Sequence, residues 1–396
     1  MRALRLLPAA LLAAGLLIAP GPAAHATTAV DGTPEGWIVV LKDQAAARMA
    51  PATIARDLVG RRPGARLGHV YQAALHGFSA RMTPAQARQL AADPRVAHVQ
   101  PDTPLTVAAE ATQDARATQL NAPWGLDRID QRRLPLSTTY TYRTTSPGVR
   151  IYVIDTGLRV SHAEFGGRAS VGVDTVGDGR LGDDCHGHGT HVGGIAAGTT
   201  YGVAKQARLV AVRVLNCQGA ASTSGVIAGI DWVTANAVKP AVANMSLGGA
   251  ASVALDTAVR NSIASGITYT ASAGSSAQPD GACTTSPARV PEVISVGATD
   301  RTDRKASSSN YGNCVALFAP GVAITSAWHT GDTASATLSG TSMATTHTTG
   351  AVALHLGLRP ADTPAQVKSA LVAGATTGVL QGTPPPSPNR LLYTLY

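Results

Sequence analysis

From Trp124 to the C-terminus, apolar strand-like runs take turns with helical stretches: "RIYVIDT", "HVGGIAAG", "ARLVAVRVL", "SGVIAGIDWVTAN", "AVANMSL", "LDTAVRNSIASG" and "EVISVGA". No other feature restricts the chain as much. Alternation of this kind argues for an α/β fold, a parallel sheet with helices on both faces. With 396 residues, 44% of them hydrophobic and 14% charged, the chain has enough apolar material for at least one large core. Ligands in such folds bind beyond the carboxyl ends of the strands, so the polar residues there are the first functional candidates.

Ahead of this segment, from Trp37, lies a small α+β unit. "WIVVLK" reads as a strand, and "APATIARDLV" has helical spacing in Ile54, Leu58 and Val59. "ARLGHVYQAALHGFSARM" reads as a hairpin, because apolar and polar residues partly alternate in it. "TPAQARQLAADP" is a well-marked helix, with Thr83 as cap, Pro84 at the first helical position and Pro94 past the end. "VAHVQPD" closes the unit as a strand. The order strand, helix, strand, strand, helix, strand is that of a ferredoxin-like fold. The next stretch, "LTVAAEATQDARATQLNA", is small and polar without a pattern, and reads as an exposed junction between two folded units.

The N-terminus carries Arg2 and Arg5, the apolar run "LLPAALLAAGLLIAP" and then Ala24-His25-Ala26. These match the charged, apolar and small-residue regions of a secretory signal, with cleavage expected after Ala26. A membrane anchor is the alternative, but Pro8 and Pro20 break the run, which falls short of the roughly 20 apolar residues a span needs. An exported chain meets oxidising conditions, so Cys185, Cys217, Cys283 and Cys314 are expected in disulfides. Four cysteines permit three pairings. The sequential one would close two medium loops, each stabilising by about 3 to 4 kcal/mol on the chain-entropy model. A zinc site is the alternative, but no Cys-x-x-Cys spacing is present. The net charge of +8, from 32 basic and 24 acidic residues, is scattered, with pairs only at places such as Arg61-Arg62 and Arg132-Arg133. It supplies solubility rather than the basic stripe that nucleic-acid binding needs.

Three residues stand at strand ends and helix starts. Asp155 follows an apolar run and precedes Thr156-Gly157, which puts it at the carboxyl end of a buried strand, where a plain structural role would be to cap the next turn. His188 lies in "CHGHGTHVGGIAAG", where glycines permit close approach. The neighbouring His186 and His191 raise a metal reading, but the His-Glu-x-x-His pattern is absent and Asp183 and Asp184 have no helical register with the histidines. Ser342, in "GTSMATTHTTG", stands where a helix starts, and a serine there is usually an N-cap. Each residue alone reads as structural. Together they supply an orienter, a base and a nucleophile, which acyl transfer needs because a serine hydroxyl is inert until a base takes its proton. The chain order Asp, His, Ser is that of subtilisin and of neither the α/β-hydrolases nor the chymotrypsin type.

The motifs "VIDTG" around Asp155, "HGTHVGG" around His188, "NMSLGG" at 244–249 and "GTSMAT" around Ser342 resemble the subtilisin (S8) family of serine proteases. The similarity continues through "APWGLDRIDQ", "VAVRVLNCQG" and "SPARVPEVISVGATD", so it covers about Asn121 to the C-terminus, and it is nearest the secreted proteinase K and aqualysin branch. The resemblance implies a subtilisin-like parallel sheet with helices on both faces, preceded by a small ferredoxin-like propeptide that assists folding and blocks the cleft until it is cut off. The implied parts are a signal peptide at 1–26, an inhibitor-like propeptide with its junction at 27–116, and a peptidase domain at 117–396. The tail near residues 108–117 is expected to lie through the active site as the first substrate. Ser246, Leu247 and Gly248 are implied as one rim of the specificity pocket and Ala273 and Gly274 as the other, with a substrate strand added to these edges. The branch also implies pairing of Cys185 with Cys217 and of Cys283 with Cys314. The expected product is a secreted, monomeric endopeptidase that acts on proteins or peptides, with its own propeptide as intramolecular inhibitor and no nucleic-acid or lasting membrane partner.

The sequence departs from the family pattern in three places. Where the family has Ala-Gly-Asn, whose asparagine donates to the oxyanion, this chain reads Ala273-Gly274-Ser275, and the shorter Ser275 is expected to weaken the oxyanion hole. "MATTHTTG" stands for the family's Met-Ala-Thr-Pro-His-Val-Ala-Gly; Thr348 and Thr349 bring hydroxyls that need partners, which back-bonding can supply, and bulk that can overpack. Where relatives carry a calcium-binding aspartate, this chain has Ala316. The carbonyls of Pro291 and Val293 remain, but a hard cation is expected to bind weakly without the carboxylate. No cofactor is implied for the chemistry. The alternative to an active endopeptidase is a degenerate member that binds peptide or its own prosegment with little turnover.

Overall fold

The computed structural model describes residues 34–107, 111–113 and 121–395. The expected signal segment, 1–26, and residues 108–110 and 114–120 of the junction lie outside them. In the larger unit nine strands form one sheet. Their order is Thr376–Thr377, Arg390–Leu391, Leu317–Pro320, Ile294–Thr299, Thr268–Ser272, Ala241–Met245, Arg150–Asp155, Arg208–Arg213, Ala169–Asp174. All neighbours are parallel except the edge pair Thr376–Thr377 with Arg390–Leu391.

A strand covered on both faces must be apolar at consecutive positions, since successive side chains point to opposite sides. In Arg150–Asp155, Ile151 and Val153 join the core on one face while Tyr152 and Ile154 join the core on the other. The first face is covered by helices His188–Ala197, Thr341–Leu358 and Pro364–Gly374, the second by Thr223–Asn236 and Val253–Ala264. Two disulfides, Cys185–Cys217 and Cys283–Cys314, close loops of 32 and 31 residues' separation, which is the sequential pairing.

The N-terminal unit is a four-stranded antiparallel sheet in the order Arg66–Tyr71, Gly77–Met82, Glu35–Leu41, Val96–Pro101, the ferredoxin-like arrangement. Helices Pro51–Gly60 and Pro84–Ala91 pack on one face. A short helix, Asp43–Arg48, interrupts the first crossover and was not marked by any apolar spacing. Thr83 opens the second long helix with a capping box, its hydroxyl accepting from the backbone N–H of Gln86 while the Gln86 side chain accepts from that of Thr83. Val39 and Leu41 lie under the unit's own helices with Ile54, Leu58 and Phe78. Ile38, Tyr71 and Leu75 face the other way and complete the core built on Ile227 and Ile230 of the larger unit. The two units therefore share a core, and "WIVVLK" is apolar without alternation because both of its faces are covered. Asp231 of the larger unit accepts from the backbone N–H groups of Gln72, Ala73 and Ala74, the last two at 2.6 and 2.7 Å.

The described pieces of the junction are not free surface chain. Pro104–Val107 is a strand inserted antiparallel between Ala220–Ser222 and Leu247–Ala250, with Leu105 buried, and Ala111–Gln113 pairs antiparallel with Ser335–Ser339. Small, polar residues carry no hydrophobic pattern, and these pieces are ordered by backbone hydrogen bonds, which leave none.

Two histidines of the core titrate against the fold. His191 is fully buried, with Nε2–H donating to the carbonyls of Ile324 and Ala336 at 3.1 and 3.2 Å, and burial lowers its pKa to about 3. His347 is buried with Nδ1 2.9 Å from the carbonyl of Met343, and burial lowers its pKa to about 4. Both folded values lie below the 6.5 of an unfolded histidine, so below pH 6.5 the unfolded state binds more protons and stability falls with pH. The loss approaches about 1.4 kcal/mol per pH unit for each histidine and continues toward pH 4. The melting temperature should therefore drop between pH 6.5 and pH 5, above the range where carboxylates protonate; a flat profile across that interval would contradict the burial of both rings as neutral groups.

Candidate active site

Parallel strands put their carboxyl ends along one edge. Asp155 ends Arg150–Asp155, Ala241–Met245 leads into Ser246, and Thr268–Ser272 leads into Ala273-Gly274-Ser275. His188 is the first residue of its helix, and its Nδ1 lies 2.6 Å from Asp155 Oδ1 with both side chains fully buried. Asp155 Oδ1 also accepts from the N–H of Thr156 at 2.8 Å. In so dry a place the carboxylate holds the imidazole in one orientation. The approach of the two segments depends on Gly189, where an added Cβ would lie 2.0 Å from the carbonyl oxygen of Gly157.

Asp184 was read in the sequence only as a flank of the histidines, and its task proves to be structural. Its Oδ1 accepts from Thr156 Oγ1 and from the N–H groups of His186 and Gly187, and its Oδ2 accepts from the N–H and hydroxyl of Thr190. One carboxylate thus ties the Asp155 turn to the start of the His188 helix. The signal that could have found it is an aspartate four residues ahead of a helix start. His191 has its Nε2–H engaged in the core, and among the described residues no group of three His, Cys, Asp or Glu is placed to hold a metal ion.

Ser342 is the second residue of Thr341–Leu358, and Gly340 occupies the N-cap position, so Ser342 is not the cap. It is fully buried, and its Oγ donates to the carbonyl of Ser246 at 3.2 Å, while Ser246 Oγ donates to the carbonyl of Ser342 at 3.1 Å. The hydroxyl stands in the first turn of the helix, where the helix dipole favours a developing negative charge.

The two rims differ. Leu247, Gly248 and Gly249 pair antiparallel with Val107, Thr106 and Leu105, so this rim is a strand edge and it is occupied by the chain's own segment. The second edge on which this segment pairs is Ala220–Ser222, which sequence reasoning missed. The carbonyls of Ala273 and Gly274 are already taken by Asn310, the first by Nδ2 at 2.8 Å and the second by the backbone N–H at 2.9 Å. Ala273-Gly274 is a braced wall rather than an open edge, and Asn310, a single polar residue far along the chain, had no sequence signal beyond its side-chain type.

Ser275 turns toward the helix that carries Ser342. Its Oγ accepts from the N–H of Thr341 at 3.2 Å and lies 3.0 Å from Thr341 Oγ1. The threonines expected to burden this helix are all buried and partnered: Thr346 donates to the carbonyl of Ser342, Thr348 to that of Ala344, and Thr349 lies within hydrogen-bond distance of Thr345, Asn244 and Thr270.

A buried carboxylate and imidazole, a serine at a helix start and a strand edge that holds an extended peptide are the equipment of a serine peptidase. The subtilase family model matches residues 146–389 and the peptidase inhibitor I9 model matches 37–108. The chain is 54% identical over 333 residues to an extracellular serine proteinase of Thermus sp. (strain Rt41A), covering 84% of this chain and 78% of the relative. It is 49% identical over 326 residues to alkaline serine exoprotease A of Vibrio alginolyticus, covering 82% of this chain and 60% of the relative. The crystal structure of a cold-adapted subtilisin-like serine proteinase superimposes with a TM-score of 0.67 at 50% identity, over 70% of this chain and 99% of that one. The chain belongs to the subtilase family. It is a subtilisin-like serine endopeptidase that carries an I9 inhibitor segment at its N-terminus.

The residues present do not fit the calcium that the family pattern implies at Pro291 and Val293. Lys368 Nζ donates to both carbonyls, that of Val293 at 2.9 Å, and burial lowers the pKa of this lysine below its ordinary value. An ammonium already stands where a cation would be held, and Ala316 brings no carboxylate. Ala316→Asp alone should leave the response of the melting temperature to calcium or chelator as in the wild type, whereas Ala316→Asp with Lys368→Ala should make it calcium-dependent by mass action on the folded state. Gain of calcium dependence in the single variant would show that Lys368 does not hold the site.

Proposed function

We propose that Ser342 is the nucleophile, His188 the general base and acid, and Asp155 the group that orients the imidazole. In this reading Ser342 Oγ attacks the scissile carbonyl as His188 Nε2 takes its proton; the leaving amine receives that proton, and water then cleaves the acyl-enzyme with His188 again as base. Asp155 holds the ring through Nδ1 and stabilises the imidazolium as it forms. No cofactor takes part. The observation that carries the reading is the strand pairing: Leu105–Val107 sits on Leu247–Gly249 and Ala111–Gln113 on Thr337–Ser339, just ahead of Ser342. A chain held in this way on both sides presents a bond between Val107 and Ala111 for cutting. The enzyme is thus made as a precursor that cuts itself, with the N-terminal unit as a bound inhibitor. Secretion is supported by the extracellular relative, and no helix among the described residues is long and apolar enough to cross a membrane. The enzyme acts on protein or peptide chains as a monomer.

Following the mass of the full chain tests the self-cleavage. The wild type should split between 107 and 111 while Ser342→Ala stays whole, and a fluorophosphonate should label the wild type alone. An intact, unlabelled wild type would favour the degenerate, peptide-binding alternative; a split Ser342→Ala chain would mean that another protease does the cutting.

The oxyanion hole in this reading is weak. The hydroxyl of Ser275 is drawn to Thr341, which leaves the backbone N–H of Ser342 as the main donor. Loss of a side-chain donor costs about 10² to 10³ in kcat, a magnitude known from subtilisin itself. Ser275→Asn should raise kcat by roughly tenfold or more with little change in KM, as for an interaction made mainly in the transition state. Steady-state kinetics on a peptide substrate check this, and an unchanged kcat would place the limiting step elsewhere.

A further inference from the structure

We propose that two threonines of "TTHTT", Thr346 and Thr349, position the nucleophile, through a directed chain of buried hydrogen bonds that ends on the backbone of Ser342. The proposal rests on the reading of Ser342 as the nucleophile. Thr270, Asn244, Ser246, Thr346 and Thr349 are all fully buried, so their polar atoms must satisfy one another.

Counting protons gives the chain a direction. Thr349 has one hydroxyl proton and three neighbours: Thr270 Oγ1 at 2.7 Å, Asn244 Oδ1 at 2.8 Å and the carbonyl of Thr345 at 3.0 Å. The only other acceptor near Thr270 is the carbonyl of Ala243 at 3.5 Å, so Thr270 donates to Thr349. Thr349 then donates to Asn244 Oδ1, its shorter remaining contact. With Oδ1 engaged, Asn244 Nδ2 donates to Ser246 Oγ at 3.0 Å, and Ser246 Oγ, having accepted, donates to the carbonyl of Ser342 at 3.1 Å. Thr346 Oγ1 donates to the same carbonyl at 2.8 Å. In return the carbonyl of Ser246 accepts from Ser342 Oγ.

The chain joins the two parts whose spacing matters most. Ser246 leads directly into the strand edge Leu247–Gly249 that holds the peptide, and Ser342 carries the attacking oxygen. Without the Thr349 hydroxyl, Asn244 Oδ1 keeps only contacts of 3.5 Å, to Thr346 and Ser246, and the amide has no fixed orientation from which to hold Ser246. Thr349 and Thr346 are positioning residues; they do not touch the reacting atoms.

Thr349→Val keeps the shape and removes the proton. Per active site titrated with a fluorophosphonate, its kcat should fall roughly tenfold with KM within about twofold, and the rate of fluorophosphonate labelling should fall in proportion, because a displaced nucleophile is penalised in the chemical step. Thr349→Ser restores the hydroxyl and should recover most of both rates. If Thr349→Val lowers the melting temperature while kcat per titrated site and the labelling rate stay as in the wild type, the threonine is merely structural and the proposal is overturned. If that variant does not fold, Thr270→Val at the far end of the chain should lower the same two rates, and normal rates there would overturn the proposal equally. Failure of the wild type to label would instead sink the underlying assignment of Ser342.

Discussion

The contact that the rest of the site depends on is the approach of the Asp155 turn to the start of the His188 helix. A carboxylate and an imidazole 2.6 Å apart without solvent require two backbone segments in van der Waals contact, and at Gly189, packed on the backbone of Gly157, there is room for no side chain between them. Asp184 then ties both segments with a single carboxylate through Thr156, His186, Gly187 and Thr190. Ionic pairs on a surface are worth little, because solvent screens them and the side chains lose freedom. Here the backbone has already been placed by the sheet, so the pair does not bear the cost of its own ordering.

The same economy of placement governs the N-terminal unit. Its sheet completes a core that the larger unit leaves incomplete, and the strand Pro104–Val107 that follows it joins a sheet with Ala220–Ser222, Leu247–Ala250 and Thr285–Ser286. Backbone pairing of this kind is indifferent to side chains, which is why a segment of small residues can serve as well as a foreign peptide. The unit supplies both an apolar face and a peptide, so shielding of the body and occupation of its binding edge occur together.

Departures from the family pattern are absorbed locally. The hydroxyls that replace apolar atoms in the Ser342 helix find Thr270, Asn244 and backbone carbonyls, and the cation position near Ala316 is met by the ammonium of Lys368. In each case a polar group placed in a dry environment is matched by another, since an unmatched one would cost about 1 to 3 kcal/mol. Thr270 on a neighbouring strand stands within hydrogen-bond distance of the Thr349 hydroxyl.

Sequence by itself determined the class of fold, because short apolar runs such as Ile151 to Ile154 alternate with helical stretches, as strands buried on both faces of a parallel sheet do. It also marked the strand ends and helix starts, since glycines, caps and single polar residues interrupt an apolar pattern in a way that can be read locally: Thr83 with Pro84, Thr156-Gly157, Gly340 ahead of Ser342. What only the tertiary structure decided are relations between distant residues whose side chains carry no periodic signal. Asn310 bracing Ala273, Lys368 reaching Pro291 and Val293, Asp231 gathering three N–H groups, and Ala220–Ser222 serving as a binding edge each join elements 37 to 159 residues apart. Hydrophobic periodicity records whether a position faces the core. It does not record which polar partner waits there, and that is set by the crossing of elements in space.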